Sequence, residues 1–332
     1  MTRFRAVLIS TLLSLPLASL AQLSPSLAVP PENYAVLHAF GATGMVDIQH
    51  MAYGGAHIAD DRFGWHGNPA GMAAVRGSAV EMHHTWAPFS KIPGVHRTAI
   101  GGAFVLGSGT MKLLAVWADG AGSMVGPTMT LGASSTERDF VAEYAFRPTP
   151  RLAVGLATAY VGTHTHFRHP SLGTVADFSS RPQGPGGRMG AIYRTSTKTT
   201  VGATYDNYTE RVVVSEPVSH LAPTAVYFHS TGWALGGGWF PDESTTLLVD
   251  YSDKVIEGGS RKVTRRGLAI GGERRIGRTS LRLGEFEGRV CGGLGVRLGR
   301  WECSYAFSGR ADKDLPGMGA GTTHAFQVRS WF

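Results

Sequence analysis

The chain has 332 residues, of which 45 are glycine, about twice the ordinary share. Its mean hydropathy is −0.03, and beyond the N-terminus no segment approaches about 18 uninterrupted apolar residues, which excludes a helical membrane protein. The formal charge of +7 is not gathered into a basic patch interleaved with aromatic residues, so a nucleic-acid-binding module is excluded as well.

The first predicted element is a secretory signal peptide over residues 1–21. Arg3 and Arg5 precede an apolar run that is broken by serine and proline, and Ala21 completes a small-residue cleavage site. A second possible cleavage site follows Ala28. The run is too short and too interrupted to span a bilayer. The sequence therefore predicts export, and loss of the two arginines lowers the formal charge from +7 to +5.

Residues 22–77 form the next predicted unit, the hatch segment. They lack the alternation of a strand, yet they contain too many apolar side chains for a disordered tail. We therefore expect this segment to pack beneath, inside or outside the strands that follow. Its candidate functional residues are Gly54, Gly55, Asp60, Asp61, Asn68, Pro69 and Ala70.

Two interpretations of the hatch carboxylates stay open. Asp60 and Asp61 could pair with arginines that face the same space, such as Arg297 or Arg329. Alternatively, these carboxylates and Asn68 only cap turns and hold the segment in place. Either way, the glycines before them allow the backbone to turn tightly.

Residues 78–332 read as strands. Short turn signals, such as Gly299-Arg300, join runs that alternate between apolar and polar or small side chains. Longer connections, predicted at 119–137, 165–186 and 207–223 among others, lie between the short ones. The runs between these connections number fourteen, which predicts fourteen strands. Their alternation predicts an apolar outer face and a polar inner face. The predicted fold is all-β: a 14-stranded antiparallel transmembrane β-barrel with an N-terminal hatch.

The two cysteines test this strand assignment locally. A two-residue turn at Gly299-Arg300 places Val296 opposite Cys303 and Cys291 opposite Ser308. The two thiols then lie on opposite faces, about 16 Å apart along the strands. A disulfide cannot span that distance, so we expect two free thiols.

Candidate catalytic and metal sites are few. The sequence has none of the G-x-S-x-G, H-E-x-x-H, C-x-x-C or P-loop motifs, so we predict no enzyme and no cofactor. His164 and His166 share one strand face and are weak candidates for a transition-metal site. The alternative is a polar loop with histidines that share no ligand.

The last predicted strand ends at Phe332. Its alternate positions include Phe326, Val328 and Phe332 on one face, with Gln327 and Arg329 on the other. An apolar strand with a free edge invites aggregation, so we expect this strand to be paired on both sides, as in a closed barrel. The alternative is the terminal strand of a soluble sandwich. The apolar row resembles the signal that the barrel-assembly machinery reads in outer-membrane barrels.

The hatch segment carries a resemblance to a known family. The stretch from Gly54 to Asp61, followed by Asn68-Pro69-Ala70, resembles the region ahead of the first strand in the FadL-type fatty-acid transporters of the outer membrane and in the related PorV/PorQ-type barrels. Residues 231–251 and 266–283 resemble later hairpins of the same superfamily. The chain is shorter than the fatty-acid transporters, chiefly in the predicted extracellular loops.

The resemblance implies an outer-membrane barrel that transports hydrophobic small molecules of fatty-acid or hydrocarbon type. In such transporters the hatch fills the lumen, and the ligand leaves sideways through a gap in the wall. The rival interpretation is a PorV/PorQ-like platform for protein interaction or secretion, while an open porin is disfavoured because the hatch would block it. The partners expected are outer-membrane lipid, lipopolysaccharide, the assembly machinery and a hydrophobic ligand, and the barrel is expected to be a monomer.

Overall fold

The computed structural model describes residues 51–53, 56–61, 67–87, 95–125, 130–169, 173–183, 186–215, 222–258, 261–286, 288–310 and 321–332. The predicted signal peptide over residues 1–21, its two cleavage sites, Gly54 and Gly55 lie outside the described residues. Among the described residues, no helix is long and apolar enough to cross a membrane.

Strands make up most of the described chain, and a 3-10 helix, Pro69–Ala74, precedes them. The strands are β1 (Ala79–Ala87), β2 (Val95–Leu106), β3 (Gly109–Val125), β4 (Thr130–Thr149), β5 (Leu152–His169), β6 (Gly173–Pro182), β7 (Gly187–Arg194), β8 (Thr199–Ser215), β9 (Thr224–Trp239), β10 (Thr245–Gly258), β11 (Arg261–Ile276), β12 (Thr279–Phe286), β13 (Arg289–Leu298), β14 (Trp301–Arg310) and β15 (Gly321–Trp331).

The strands close into one antiparallel barrel. The first and last strands pair with each other, from Ala79 opposite Trp331 to Trp86 opposite His324. β6 and β7 share one position in the wall, because both pair with β5 on one side and with β8 on the other. The fifteen strands therefore build a wall of fourteen positions, which confirms the predicted 14-stranded antiparallel barrel.

Alternate residues of each strand face opposite sides of the wall. On β9, Trp233, Leu235 and Trp239 are exposed on the outer surface, whereas Phe228 and Ala234 are buried on the inner side. The same pattern continues around the barrel, so exposed apolar side chains form a band on its outside. That surface is typical of a barrel that spans a membrane.

The predicted short turns are confirmed, and they define one end of the barrel, the short-turn end. Gly277 and Gly299 each begin a two-residue turn with φ of 61°, a left-handed conformation that glycine adopts without strain. The predicted register of β13 and β14 is also correct, with Val296 opposite Cys303 and Cys291 opposite Ser308. Both cysteines are free, as predicted.

The predicted connections at the other end were too long. β3 continues to Val125, β8 continues to Ser215, and the interval 165–186 contains the end of β5 and all of β6. Most outward-facing side chains of β6 and of the end of β8 are polar, so these stretches lack the membrane-type alternation by which the strands were recognised. Backbone pairing does not need that alternation, and the wall continues past the apolar band. Long and short connections also do not alternate strictly, since only residues 287–288 separate β12 from β13.

Candidate functional site

The described residues of the hatch segment lie against the inner face of the wall. Their backbone approaches so closely that the wall presents glycine at the points of contact. A Cβ added at Gly202 would lie 2.0 Å from the Ile58 carbonyl oxygen, and one added at Gly271 would lie 2.2 Å from that of Tyr53. The inward-facing glycines that meet the hatch segment in this way are Gly155, Gly190, Gly202, Gly236, Gly271 and Gly293.

The Asn68-Pro69-Ala70 element starts the 3-10 helix. The Asn68 side chain accepts a hydrogen bond from the Ala70 backbone N–H at 3.0 Å, which caps the helix. Its amide group donates to the backbone oxygens of Ile58 at 2.7 Å and Ala191 at 3.1 Å. One buried side chain therefore joins two parts of the hatch segment to strand β7. This is the geometry of the capping alternative that the sequence left open for Asn68.

Asp61 meets an arginine other than the two that the sequence offered as examples. Asp61 forms an ion pair with Arg194, at the last residue of β7. Arg329 instead pairs with Glu81 at 3.1 Å, and the Arg297 guanidinium lies 5.1 Å from the ring centre of Trp331. The sequence could not choose among the inward-facing arginines, because alternation indicates the face of a residue but not its height on the wall.

Asp60 is buried, and its backbone N–H donates to the His57 carbonyl oxygen at 3.1 Å. The wall holds the same loop with groups that the sequence did not single out. The Asp250 carboxylate accepts hydrogen bonds from the backbone N–H groups of His57 and Ile58, the latter at 2.8 Å. The Thr200 hydroxyl donates to the Ala59 carbonyl oxygen at 2.6 Å. The alternation of β10 could have placed Asp250 inside, but not beneath this loop.

Two arginines extend these contacts along the 3-10 helix. Arg188 donates to the Gly67 carbonyl oxygen at 2.7 Å, and Arg147 donates to the Ala73 carbonyl oxygen at 3.2 Å. Arg194 and Thr200 flank the turn between β7 and β8. The described hatch residues therefore attach near the short-turn end of the barrel.

Tyr53 anchors the start of the described hatch residues. Its hydroxyl donates to the Glu273 carboxylate at 3.1 Å, and Glu273 also pairs with Arg282 at 2.7 Å. Arg282 then reaches Glu302 at 3.3 Å. Burial raises the pKa of Tyr53 well above its ordinary value, and the adjacent Glu273 charge raises this pKa further. The phenol therefore stays protonated and remains a donor.

The rest of the inner face is largely charged. Arg97 lies 2.9 Å from the Glu137 carboxylate and 3.1 Å from that of Asp139. Lys112 lies 3.7 Å from Glu143, and both side chains are buried. Removing one member of such a buried pair leaves an uncompensated charge, so the loss of either partner would destabilise the wall.

A group of apolar side chains interrupts this polar interior near the end opposite the short turns. Phe178 lies directly opposite Val214, Val212 lies opposite Val226, and the Phe167 and Phe178 rings meet edge to face with centres 5.6 Å apart. Val212, Phe228 and Ile256 are buried together. We call this group the inner apolar belt; it consists of Phe167, Phe178, Val212, Val214, Val226, Phe228 and Ile256. Most of it lies in stretches that the sequence assigned to loops.

The wall has an interruption directly below the inner apolar belt. β6 pairs with β8 down to Pro182 opposite Glu210, and β7 resumes only at Gly187 opposite Asn207. On the other side, the four residues 159–162 of β5 have no ladder partner in β6 or β7. Proline cannot donate a ladder hydrogen bond, and β6 ends at Pro182. On the β8 side, Gln183 still donates to the Thr209 carbonyl oxygen at 2.9 Å, so the wall is interrupted mainly along β5.

Tyr208 is the inward-facing residue at the level of this interruption. It belongs to β8, between the row of Asn207 and the row of Glu210. Its ring lies against Gly186, where an added Cβ would be 2.7 Å from the Tyr208 Cδ2 atom. The tyrosine thus packs against the last residue before β7, at the edge of the interruption.

The remaining predicted residues lie on the outer face. Phe326, Val328 and Phe332 are exposed there, and the backbone N–H of Phe332 donates to the Ser78 carbonyl oxygen at 2.8 Å. His164 and His166 lie within strand β5 rather than at the start of a loop, and their ring centres are 4.1 Å apart.

Comparison with known proteins identifies solved structures that share this barrel fold. The sequence matches no protein-family model and no curated protein. Among solved structures, it is similar to the Ralstonia pickettii toluene transporter TbuX, with a TM-score of 0.62 and 13% identity over 88% of this chain and 100% of TbuX.

Two further solved structures agree. The monoaromatic hydrocarbon channel CymD has a TM-score of 0.60 and 12% identity over 86% of this chain and 97% of its own. A Pseudomonas aeruginosa FadL homologue has a TM-score of 0.57 and 10% identity over 86% of this chain and 98% of its own. The fold implied by the FadL-type resemblance is therefore confirmed.

Proposed function

We propose that this barrel lies in the outer membrane and carries hydrophobic small molecules of hydrocarbon or fatty-acid type inward. The observation that carries the proposal is the inner apolar belt, which lies between the end opposite the short turns and the interruption between β6 and β7. An aqueous channel or a plugged scaffold has no use for buried valine and phenylalanine on a lumen wall. The shared fold with a toluene transporter and a monoaromatic hydrocarbon channel supports this proposal.

Capture is the first step of the proposed route. A hydrophobic molecule that enters from the cell exterior meets the belt and gains about 0.8 kcal/mol for each methylene that it buries. The aromatic edges of Phe167 and Phe178 add favourable contacts for a planar ring. The charged walls below, such as the pair of Arg188 and Asp206, offer an apolar molecule no comparable gain. The ligand is therefore retained where the inner apolar belt lies on the lumen wall.

The second step is lateral exit. We take the hatch segment to close the short-turn end, which is the periplasmic end in barrels of this type. A ligand held above the hatch segment then lies beside the interruption in the wall. Movement through that interruption into lipid keeps the apolar surface away from water, whereas movement downward exposes it to charged groups. Tyr208 would control this passage because it is the inward-facing residue at the height of the interruption.

The proposed route involves no chemical step, so we assign no catalytic residue and no cofactor.

Two partners are proposed from the outer face. Arg181 and Arg211 lie directly opposite each other on the lipid-facing side, near the end away from the short turns. Like charges in this position repel unless an anion lies between them, and a phosphate of lipopolysaccharide suits them. Phe332, with the apolar row of β15, would serve the barrel-assembly machinery.

The platform alternative is less well supported. A secretion or interaction platform needs a stable plugged barrel, and the contacts of the hatch segment satisfy that requirement. The platform hypothesis, however, gives no role to the inner apolar belt or to the interruption in the wall. A single barrel contains both, so we propose that it works as a monomer.

The test compares matched substitutions in proteoliposomes. Changing Val212 and Val226 together to threonine keeps shape and strand propensity but places two hydroxyl groups in the belt. Changing Val213 to threonine alters the outward-facing neighbour and serves as the control. We expect the double variant to slow uptake of a toluene-like probe, with the control unchanged. Equal rates in both variants, with both barrels folded, would refute the proposed route.

A further inference from the structure

Three side chains converge on the outer face of strands β5 and β6. His166 lies directly opposite Asp177 in the register of these strands, and His164 lies one row away on the same face. The His164 Nε2 atom is 2.6 Å from one Asp177 oxygen, and the His166 Nδ1 atom is 3.4 Å from the other. One nitrogen or oxygen from each residue can be chosen so that all three lie within 4.8 Å of one another.

The cluster lies outside the apolar band. Tyr160, on the same strand and the same face, is 55% exposed, and His164 follows it by four residues, or about 13 Å at the rise of a strand. The side chains of His164, His166 and Asp177 are 45%, 30% and 27% exposed. They are therefore accessible to ions from solution on the side away from the short turns.

We propose that His164, His166 and Asp177 bind one divalent transition-metal ion of the zinc class. Zinc binds imidazole nitrogen and carboxylate oxygen at about 2.0–2.2 Å, which puts neighbouring donors of a tetrahedral site roughly 3.4 Å apart. The three donors here all lie within 4.8 Å of one another, so small side-chain rotations bring them to that spacing and leave a fourth position for water. Two nitrogen donors favour zinc, nickel or copper over calcium and magnesium, which prefer oxygen alone.

A plain ion pair accounts less well for this arrangement. Exposed ion pairs contribute about 0–1 kcal/mol, so a second imidazole on the same carboxylate adds little as a salt bridge. The second imidazole is what a metal site requires. The cluster also joins two strands, so a bound ion would cross-link β6 to β5 just above the interruption in the wall.

The test uses full-length barrel purified without a polyhistidine tag, stripped with a chelator and titrated with Zn²⁺ by calorimetry. We expect one ion per chain. The single variants His164→Asn, His166→Asn and Asp177→Asn should each weaken binding by at least about tenfold, the loss seen when even a group that only orients a metal ligand is removed. Co²⁺ bound in the same place should show visible absorption typical of low coordination number.

The matched control is His229→Asn. His229 is a nearby histidine of β9 whose ring contacts the Thr209 hydroxyl at 2.9 Å, and its loss should leave Zn²⁺ binding unchanged. Heat-modifiable migration on gels establishes that each variant is folded. The proposal is overturned if the wild-type barrel binds no stoichiometric Zn²⁺, or if folded His164→Asn, His166→Asn and Asp177→Asn barrels all bind it as tightly as wild type.

Discussion

The close approach of the hatch segment to the wall makes a specific prediction at Gly202. In the Gly202→Ala variant the new Cβ would lie 2.0 Å from the Ile58 carbonyl oxygen, so that oxygen must retreat by about 1 Å to reach the 3.0 Å below which such contacts essentially never occur. The move strains the hydrogen bond from Asn68 to Ile58, at 2.7 Å, and the one from Thr200 to Ala59, at 2.6 Å.

The magnitude follows from these contacts. Overpacking costs about 1–3 kcal/mol, and each lost hydrogen bond costs about 0.5–1.5 kcal/mol. Hatch docking in Gly202→Ala should thus weaken by about 2–6 kcal/mol. A loss of about 2 kcal/mol already raises the undocked population roughly 30-fold, because about 1.4 kcal/mol corresponds to a factor of ten in an equilibrium constant. Docking of the hatch segment should weaken while the barrel itself stays closed.

The assay is ion conductance through single barrels in planar bilayers. We expect more frequent or larger conductance in Gly202→Ala than in wild type. The matched control is Gly237→Ala on the neighbouring strand, where a Cβ would meet only Val249 Cγ1, at an ordinary 3.6 Å. That change should be neutral or slightly stabilising, since alanine restricts the unfolded chain. Identical conductance in both variants would show that the hatch segment does not close the lumen.

Three further predictions concern named side chains. The double change Asp60→Ala with Asp61→Ala removes the ion pair to the wall and should raise single-barrel conductance without loss of folded barrel; wild-type conductance would count against a lumenal hatch. Cys291 and Cys303 should stay unpaired, and an intact mass lower by two hydrogens without reductant would contradict this. Deleting Phe332 removes its backbone hydrogen bond to Ser78 and should reduce the heat-modifiable species, whereas an unchanged yield in the membrane would rule out an assembly role.

The alternation of neighbouring residues explains why these variants are informative. Gly236 and Gly237 are adjacent, yet one meets Asp250 and Ile58 inside the barrel and the other meets only Val249. The same holds for Val212 and Val213. At Gly236 and Val212, the inward position therefore has a control of the same residue type at the next position, on the same strand and at the same height on the wall.

Local alternation made the fold readable from the sequence. A strand between lipid and a polar lumen must present apolar and polar side chains in turn, and this requirement is written into each run of residues. Turn glycines such as Gly299 mark where the runs reverse, so the strand number, the register around Cys291 and Cys303, and their free thiols all followed from the sequence. The Asn68 cap was one of two interpretations that the sequence left open, and it could be raised at all because Ala70 is a near neighbour in the chain.

The contacts between distant parts of the chain were determined by the tertiary structure. Asp61 meets Arg194 rather than Arg297 or Arg329, because the height of a residue on the wall depends on strand tilt and stagger, which no single run of residues records. The inner apolar belt, the interruption beside it and the meeting of His164 and His166 with Asp177 arise in stretches that carry no membrane alternation. There the strands are held by backbone pairing with their neighbours, and only the closed barrel supplies those neighbours.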